Sequence, residues 1–304
     1  MNHRLFKYLF LLLINVLSVL TYSQIPIEQP GMESKVYKTI GDIKLKLYIF
    51  QPSGRKDGER LPCIVFFFGG GFAGGKVTQF EPQCKYLVER GMVAVLADYR
   101  VKNRHGVTPF ECVADAKSAI RWVRTHAFEL GADENRIAAG GGSAGGHLAA
   151  CTALIKGYDD KNEDLNVSSV PNALVLFNPV LDLPEAFKNT PGETANNWLN
   201  RASEISPIHH VISGAPPTII FHGTSDQSVP FQQALNFLEI MKKYGNCCEV
   251  VPFEGRDHGF FNYYNGENPD FLATLDWYSV VHKKTLYPVL APSKITHKVK
   301  PCPV

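Results

Sequence analysis

The feature that most constrains the fold is a turn at residues 140–147, which reads Gly-Gly-Gly-Ser-Ala-Gly-Gly-His. It places Ser143 between Gly141 and Gly145, a Gly-x-Ser-x-Gly spacing typical of a sharp strand-to-helix turn that exposes a serine hydroxyl. A side chain at either glycine would collide with the strand or helix beside it. A short apolar run precedes the turn, and a longer one follows at 148–155, which predicts a buried strand and then a buried helix. An incidental serine in a glycine-rich turn is the alternative.

The order of the apolar segments predicts the fold class. Two alternating segments at 36–50, with Gly41-Asp42 between them, predict an antiparallel hairpin. Six further apolar runs follow and are separated by helical segments, a pattern that predicts a parallel arrangement of strands. We therefore expect an α/β fold with a mostly parallel eight-stranded sheet and helices on both faces. The predicted runs are 61–68, 92–97, 136–139, 173–177, 218–221 and 249–253.

The domain organisation follows from the same pattern. One domain is expected over residues 24–290, ending in a helix that begins at Asn268-Pro269 and runs to about residue 282. The irregular segment 182–213 follows the carboxyl end of a strand, where ligands of open α/β sheets bind, so it predicts a small cap over the site. Three prolines predict an irregular tail at 291–304.

Residues 1–23 have the features of a secretory signal peptide. Arg4 and Lys7 precede a short apolar segment, and Ser23 is a small residue at a position that signal peptidases recognise. We expect cleavage before Gln24, a secreted or periplasmic location and no stable membrane association afterwards; an uncleaved membrane anchor is the alternative. Without Arg4 and Lys7 the 31 basic residues become 29, equal to the 29 acidic residues. This balance does not favour nucleic acid or an anionic membrane as a partner.

The seven cysteines show no zinc-like spacing, and the sequence predicts neither a metal nor a cofactor. Cys63 and Cys151 lie in apolar runs and are expected to be inert core residues. Cys247, Cys248 and Cys302 lie in polar or terminal segments, where a disulfide is possible. The oligomeric state cannot be read from the sequence.

Two further side chains complete a catalytic constellation with Ser143. The strand at 218–221 is followed by a loop that contains Asp226, and the strand at 249–253 is followed by a loop that contains His258. A serine hydroxyl becomes nucleophilic when a histidine takes its proton and a carboxylate orients that histidine. Because the carboxyl ends of parallel strands share one sheet edge, the three side chains are expected to meet there. Asp257 is a near rival of Asp226 as the carboxylate.

The negative charge that develops during acyl transfer also needs hydrogen-bond donors. The sequence Phe68-Gly69-Gly70-Gly71-Phe72 follows the third predicted strand and lets the backbone approach a substrate closely. We expect the backbone N–H of Gly70 or Gly71 to act with that of Ala144 as an oxyanion hole.

At these positions the chain resembles the α/β-hydrolase superfamily, and within it the esterases related to hormone-sensitive lipase and the bacterial acetyl and feruloyl esterases. The resemblance covers roughly 36–282 and includes Asp98-Tyr99-Arg100 and Ser206-Pro207-Ile208. It implies a serine carboxylesterase that cleaves short acyl esters, with acetyl esters of carbohydrates as the implied substrate class. Trp198, in the predicted cap, is a candidate for substrate binding, although a core role is equally compatible. Phe68 stands where those esterases usually carry histidine, which leaves open how the glycine loop is anchored.

Other functions match parts of the sequence. Gly-x-Gly-x-x-Gly spacings at 69–74 and 140–145 match the dinucleotide-binding fingerprint, but that function would leave Asp226 and His258 unexplained. A serine peptidase of the prolyl-oligopeptidase type would use the same three residues, yet such enzymes usually carry a second domain. A non-catalytic binding protein on the same fold is the remaining alternative.

Overall fold

The computed structural model describes residues 32–188 and 198–263, together with residues 270 and 274. The strands are β1 (Met32–Ile40), β2 (Ile43–Phe50), β3 (Leu61–Phe67), β4 (Val93–Ala97), β5 (Ala132–Gly142), β6 (Ala173–Phe177), β7 (Thr218–Gly223) and β8 (Cys248–Phe253). The α-helices are α1 (Glu81–Val88), α2 (Lys102–His105), α3 (Pro109–Thr125), α4 (Ala127–Leu130), α5 (Ala144–Leu154), α6 (Leu183–Phe187) and α7 (Gln232–Lys243). Short 3₁₀ segments lie at Val77–Phe80, Leu199–Ile205 and Pro207–His209.

The strands form one eight-stranded sheet in the order β1-β2-β4-β3-β5-β6-β7-β8. The hairpin β1–β2 is antiparallel and joins the sheet antiparallel to β4, whereas all neighbouring pairs from β4 to β8 are parallel. This confirms the predicted α/β class and mostly parallel sheet. Its consequence is that the loops after β3, β5, β7 and β8 leave the sheet at the same edge.

Helices cover both faces of the sheet because its central strands are apolar on both sides. On β3, the side chains of Val65 and Phe67 point into one buried cluster, and those of Ile64 and Phe66 point into the other. The first cluster contains side chains of α3, α5 and α7, and the second contains side chains of α1. A continuous apolar run such as β3 is what a strand buried on both faces requires.

The two elements that flank Ser143 extend well beyond the runs predicted from the sequence. β5 continues through three glycines to Gly142, and α5 begins at Ala144 rather than at 148. Glycine-rich segments carry no hydrophobic period, so the pattern alone could not extend either element. α3 begins at Pro109, where Thr108 and Glu111 form a capping box.

Several predicted features lie outside the described residues. They are the signal peptide at 1–23, the tail at 291–304, nearly all of the terminal helix at 268–282 and residues 189–197 of the cap. The described part of the cap contains α6 and two 3₁₀ segments. Among the described helices, none is long and apolar enough to cross a membrane.

Cys63 and Cys151 are buried free thiols, as predicted. Cys247 forms a disulfide bond, and Cys248 is a free thiol.

Candidate active site

Ser143 lies at the turn between β5 and α5, with φ at +55° and ψ at −121°. Left-handed backbone at a serine costs on the order of 1–3 kcal/mol and persists only where the surroundings enforce it. Here the Ser143 N–H donates to the carbonyl of Phe177 at 2.9 Å. Gly145 makes the tight approach of α5 possible, since a Cβ there would lie 2.0 Å from the Phe67 carbonyl oxygen. The predicted strand-to-helix turn is therefore present, held by the neighbouring strands β3 and β6.

The side chain of Ser143 faces a cavity of about 520 Å³ at the carboxyl edge of the sheet. Its wall includes His258 and the three groups expected to bind an oxyanion, Gly70, Gly71 and Ala144. Apolar side chains form much of the remaining wall, and His258 is the only titratable side chain among the described lining residues. The apolar lining residues are Phe72, Val180, Ala186, Phe187, Val229 and Phe261. The fold thus gathers at one cavity five of the six residues predicted for catalysis.

Asp226, the sixth, lies behind His258 rather than on the cavity wall. Its Oδ2 lies 2.7 Å from His258 Nδ1, and its side chain is fully buried. Its Oδ1 accepts the backbone N–H groups of Ser228 at 2.8 Å and Val229 at 2.9 Å. The rival carboxylate Asp257 instead accepts the N–H of Gly259. The carboxylate that holds His258 is therefore Asp226.

The pKa of Asp226 lies well below its ordinary value. Burial of the carboxyl acts in the opposite direction, but hydrogen bonds from His222, His258 and the Val229 N–H outweigh it. The carboxylate thus stays ionised beside His258, where it can orient the ring and stabilise an imidazolium. The contact with His222 was not anticipated from the sequence, because a histidine near the end of a strand carries no local signal of its partner.

The glycine loop is anchored without the histidine that resembling esterases carry. Gln79 accepts the Gly69 N–H at 2.7 Å through Oε1 and donates to Asn262 Oδ1 at 2.9 Å. The Tyr99 hydroxyl donates to the Phe68 carbonyl at 2.6 Å, and the two rings stack with centroids 4.2 Å apart. These contacts show how the glycine loop is anchored although Phe68 stands in place of the usual histidine. Sequence reasoning missed them because the residues that form them are separated along the chain.

Two backbone donors remain available in that loop. Within the described residues, neither Gly70 nor Gly71 donates its N–H to another group, whereas that of Gly69 is held by Gln79. Ala144 is the first residue of α5, and first-turn N–H groups have no partner within their own helix. The helix dipole also favours negative charge at that end. These three N–H groups suit an oxyanion beside Ser143.

Asn178 joins the two loops that carry Asp226 and His258. It follows β6 with φ at +40°, and its side chain is fully buried. Its Nδ2 donates to the His258 carbonyl at 2.6 Å, and its Oδ1 accepts the Gly223 N–H at 3.0 Å. Asn178 therefore fixes the backbone of His258 relative to the end of β7, another contribution that sequence reasoning missed.

Trp198 does not line the cavity that contains Ser143 but lines two other cavities, one of which adjoins it. One, of about 230 Å³, shares Gly71, Phe72 and Phe187 with the Ser143 cavity. The other, of about 540 Å³, shares only Trp198 and Thr108 with the 230 Å³ cavity. The indole also contacts the Phe187 ring edge-on at 5.6 Å. Trp198 is thus placed one cavity away from the reacting atoms.

His147 packs beneath the turn that carries Ser143. It is fully buried, with Nδ1 2.9 Å from the Val180 carbonyl oxygen, and burial lowers its pKa to about 4. In the described part of the chain, no group of three or more histidine, cysteine, aspartate or glutamate side chains could hold a metal ion.

Comparison with known proteins places these residues in a family context. The BD-FAE family model matches residues 47–241. The native structure of esterase 2 from Thermogutta terrifontis is 48% identical, covers 91% of this chain and 100% of that one, and superposes with a TM-score of 0.81. A form of the same esterase phosphorylated by paraoxon is 49% identical, covers 89% of this chain and 100% of its own, and has a TM-score of 0.80.

Curated relatives are more distant. The probable carboxylic ester hydrolase LipM of Mycobacterium tuberculosis is 30% identical over 198 residues, which are 60% of this chain and 45% of LipM. The carboxylesterase NlhH of the same organism is 27% identical over 245 residues, 75% of this chain and 74% of NlhH. The chain spans about half the length of the first curated relatives that it matches.

Proposed function

Because the chain belongs to the BD-FAE family of α/β-hydrolases, we propose that it is a serine carboxylesterase that acts through an acyl-enzyme. The observation that carries the proposal is the 2.7 Å contact between His258 and the buried Asp226, beside a cavity that also contains Ser143. The names of similar proteins support ester hydrolysis, since they include esterases and carboxylic ester hydrolases.

In the proposed reaction, His258 Nε2 takes the proton of the Ser143 hydroxyl as its oxygen attacks the ester carbonyl carbon. The carbonyl oxygen becomes an oxyanion that the N–H groups of Gly70, Gly71 and Ala144 stabilise, each donor contributing on the order of 3 kcal/mol. His258 then gives its proton to the leaving alcohol, and the acyl group remains on Ser143. A water molecule, deprotonated by His258, then attacks the acyl-enzyme, and as this second tetrahedral intermediate collapses His258 returns the proton to the Ser143 oxygen and the carboxylic acid is released. Asp226 stays ionised throughout and stabilises the imidazolium.

The test is the variant Ser143→Ala with p-nitrophenyl acetate as substrate. We expect kcat to fall by about 10⁵-fold or more, because the nucleophile is lost while the binding groups remain. Paraoxon offers a second readout, since the T. terrifontis enzyme is phosphorylated by it. Mass spectrometry should find a diethylphosphoryl group on the peptide containing Ser143 of the wild type and none in the variant. An active Ser143→Ala protein, or a label on another residue, would refute the proposal.

We propose short acyl groups, acetyl first, as the preferred acids. Structures of the T. terrifontis esterase have been solved with propionate and with butyrate bound. The cavity beside Ser143 is bounded by Phe72, Val180 and Phe261 and measures about 520 Å³. A series of p-nitrophenyl esters of increasing chain length tests this, and the highest kcat/KM on a long-chain ester would contradict it.

For the alcohol we propose a carbohydrate whose neighbouring units extend toward Trp198. The support is the position of Trp198, which lines the 230 Å³ cavity adjoining the one that contains Ser143, and the tendency of indole rings to bind apolar faces with a polar edge. Trp198→Ala should raise KM for acetylated oligosaccharides by about tenfold while leaving p-nitrophenyl acetate unaffected, since stacking contacts of this kind are worth about 1 kcal/mol or slightly more. Trp122→Ala, at another half-buried tryptophan, is the matched control. An equal effect on both substrates would contradict the proposal.

We also propose export, with residues 1–23 removed. The amino-terminal pattern supports it, and so does the disulfide at Cys247, because disulfides persist mainly in oxidising compartments. Amino-terminal sequencing of protein from fractionated cells checks this, with Gln24 as the expected first residue. Uncleaved protein in the cytosol would contradict it.

A further inference from the structure

A second histidine contacts the carboxylate that holds His258. His222, on β7, is fully buried, and its Nε2 lies 2.9 Å from the Val229 carbonyl oxygen and 3.4 Å from Asp226 Oδ2. Its ring also packs at a steep angle on the Phe231 ring, 5.5 Å between centroids. This side chain takes no part in the proposed reaction steps.

The two neighbours of Nε2 decide the protonation of the ring. Both the Val229 carbonyl and the Asp226 carboxylate are acceptors, so Nε2 must carry a proton. Nδ1 of His222 has no hydrogen-bond partner among the described residues, and a proton there would be a buried donor without an acceptor. The ring is therefore the neutral Nε2–H tautomer, a donor shared between the two oxygens.

The contacts of Asp226 show what this donor does. Oδ1 accepts hydrogen bonds from two backbone N–H groups of the following turn, while Oδ2 lies against His258 Nδ1 and His222 Nε2. His222 belongs to a sheet strand, whereas His258 and the turn lie in loops. The described titratable groups that act on Asp226 are His222, from β7, and His258, from the loop after β8. His222 is thus the contact that ties Oδ2 to the rigid sheet.

We propose that His222 is a positioning residue, whose Nε2–H fixes the rotation of the Asp226 carboxylate and the closure of the turn to Val229, so that Oδ2 stays directed at His258. The inference rests on the proposed esterase function. It assigns no contact with substrate to His222, which acts only through Asp226.

The test compares His222→Gln with His222→Met. Glutamine can present an amide N–H close to the position of Nε2, whereas methionine has similar length and no donor. For His222→Met we expect kcat on p-nitrophenyl acetate to fall about 10- to 100-fold, the range for losing a hydrogen bond to a charged group, with little change in KM. His222→Gln should recover most of that loss.

The pH profile separates positioning from a general loss of packing. Without the donor, Oδ2 can turn away from His258 and stabilises its imidazolium less, so the acid limb of kcat/KM should move to lower pH in His222→Met and stay in place in His222→Gln. If a folded His222→Met protein keeps wild-type kcat and acid limb, or if both variants lose kcat equally with unmoved limbs, the inference is wrong.

A spectroscopic readout keeps this inference independent of activity. In ¹⁵N-histidine-labelled wild type at neutral pH, His222 should show a protonated Nε2 and an unprotonated Nδ1. A ring protonated at Nδ1 would overturn the inference even in an active enzyme. If the wild type cleaves no ester, the proposed function fails, while this tautomer still tests the contact with Asp226.

Discussion

Replacing Asp226 with asparagine tests the centre of the site, because the carboxylate accepts hydrogen bonds on both oxygens. Ser228 and Val229 donate to Oδ1, and His258 and His222 are positioned to donate to Oδ2. Asparagine keeps the shape but replaces one oxygen with an NH₂ group, which cannot accept. One pair of donors must therefore lose its acceptor in either orientation of the amide.

The two orientations have different costs. With the NH₂ group toward His258, the ring must turn an unprotonated Nδ1 to it and carry its proton on Nε2, facing Ser143. The general base is then lost, and we expect kcat to fall by about 10⁴-fold, which corresponds to roughly 5 kcal/mol. With the NH₂ group toward the turn, two buried N–H groups lose their acceptor, each at a cost of about 1–3 kcal/mol in folding free energy.

The assay measures kcat/KM on p-nitrophenyl acetate together with the free energy of unfolding in urea. Asp257→Asn is the matched control, since the Asp257 carboxylate accepts only the Gly259 N–H among the described residues and an amide oxygen can replace it. We expect wild-type activity from Asp257→Asn. A folded Asp226→Asn protein within tenfold of the wild type, or a larger loss in Asp257→Asn, would refute the reasoning.

Two further predictions concern the loop anchor and the buried histidine. Gln79→Met removes the acceptor of the Gly69 N–H, so the adjacent oxyanion donors should shift and kcat should fall about 10- to 100-fold at similar KM. The control Gln232→Met, on the exposed face of α7, should have no effect. An unchanged kcat in Gln79→Met would contradict the anchoring role. The pKa of His147 falls from 6.5 to about 4 on folding, so between these pH values the unfolded chain binds a proton at this residue and the folded chain does not. The free energy of unfolding should therefore fall by about 3 kcal/mol as the pH drops from above 6.5 to 4. His147→Gln should flatten this part of the stability profile in urea titrations, and an equally steep decline in the variant would assign the acid sensitivity to other groups.

The sequence by itself determined the fold class and named the candidate site. Continuous apolar runs such as β3 can be satisfied only by burial on both faces, and their alternation with helices fixes a mostly parallel sheet. Once strands are parallel, residues that follow their carboxyl ends share one edge. Ser143, Asp226 and His258 could therefore be grouped from positions along the chain alone.

Tertiary structure decided how those residues are held. Gln79 supports the glycine loop from a 3₁₀ turn ten residues away, Asn178, directly after β6, links the end of β7 to the His258 loop, and His222 reaches Asp226 from inside β7. Each contact depends on the direction of a side chain and on a distance between segments that must be set to within a few tenths of an ångström. Hydrophobic pattern and motif spacing contain no information about either, because they record which face is buried and not which polar atoms meet. Only the packed chain shows that Trp198 lies beside the Ser143 cavity rather than in it.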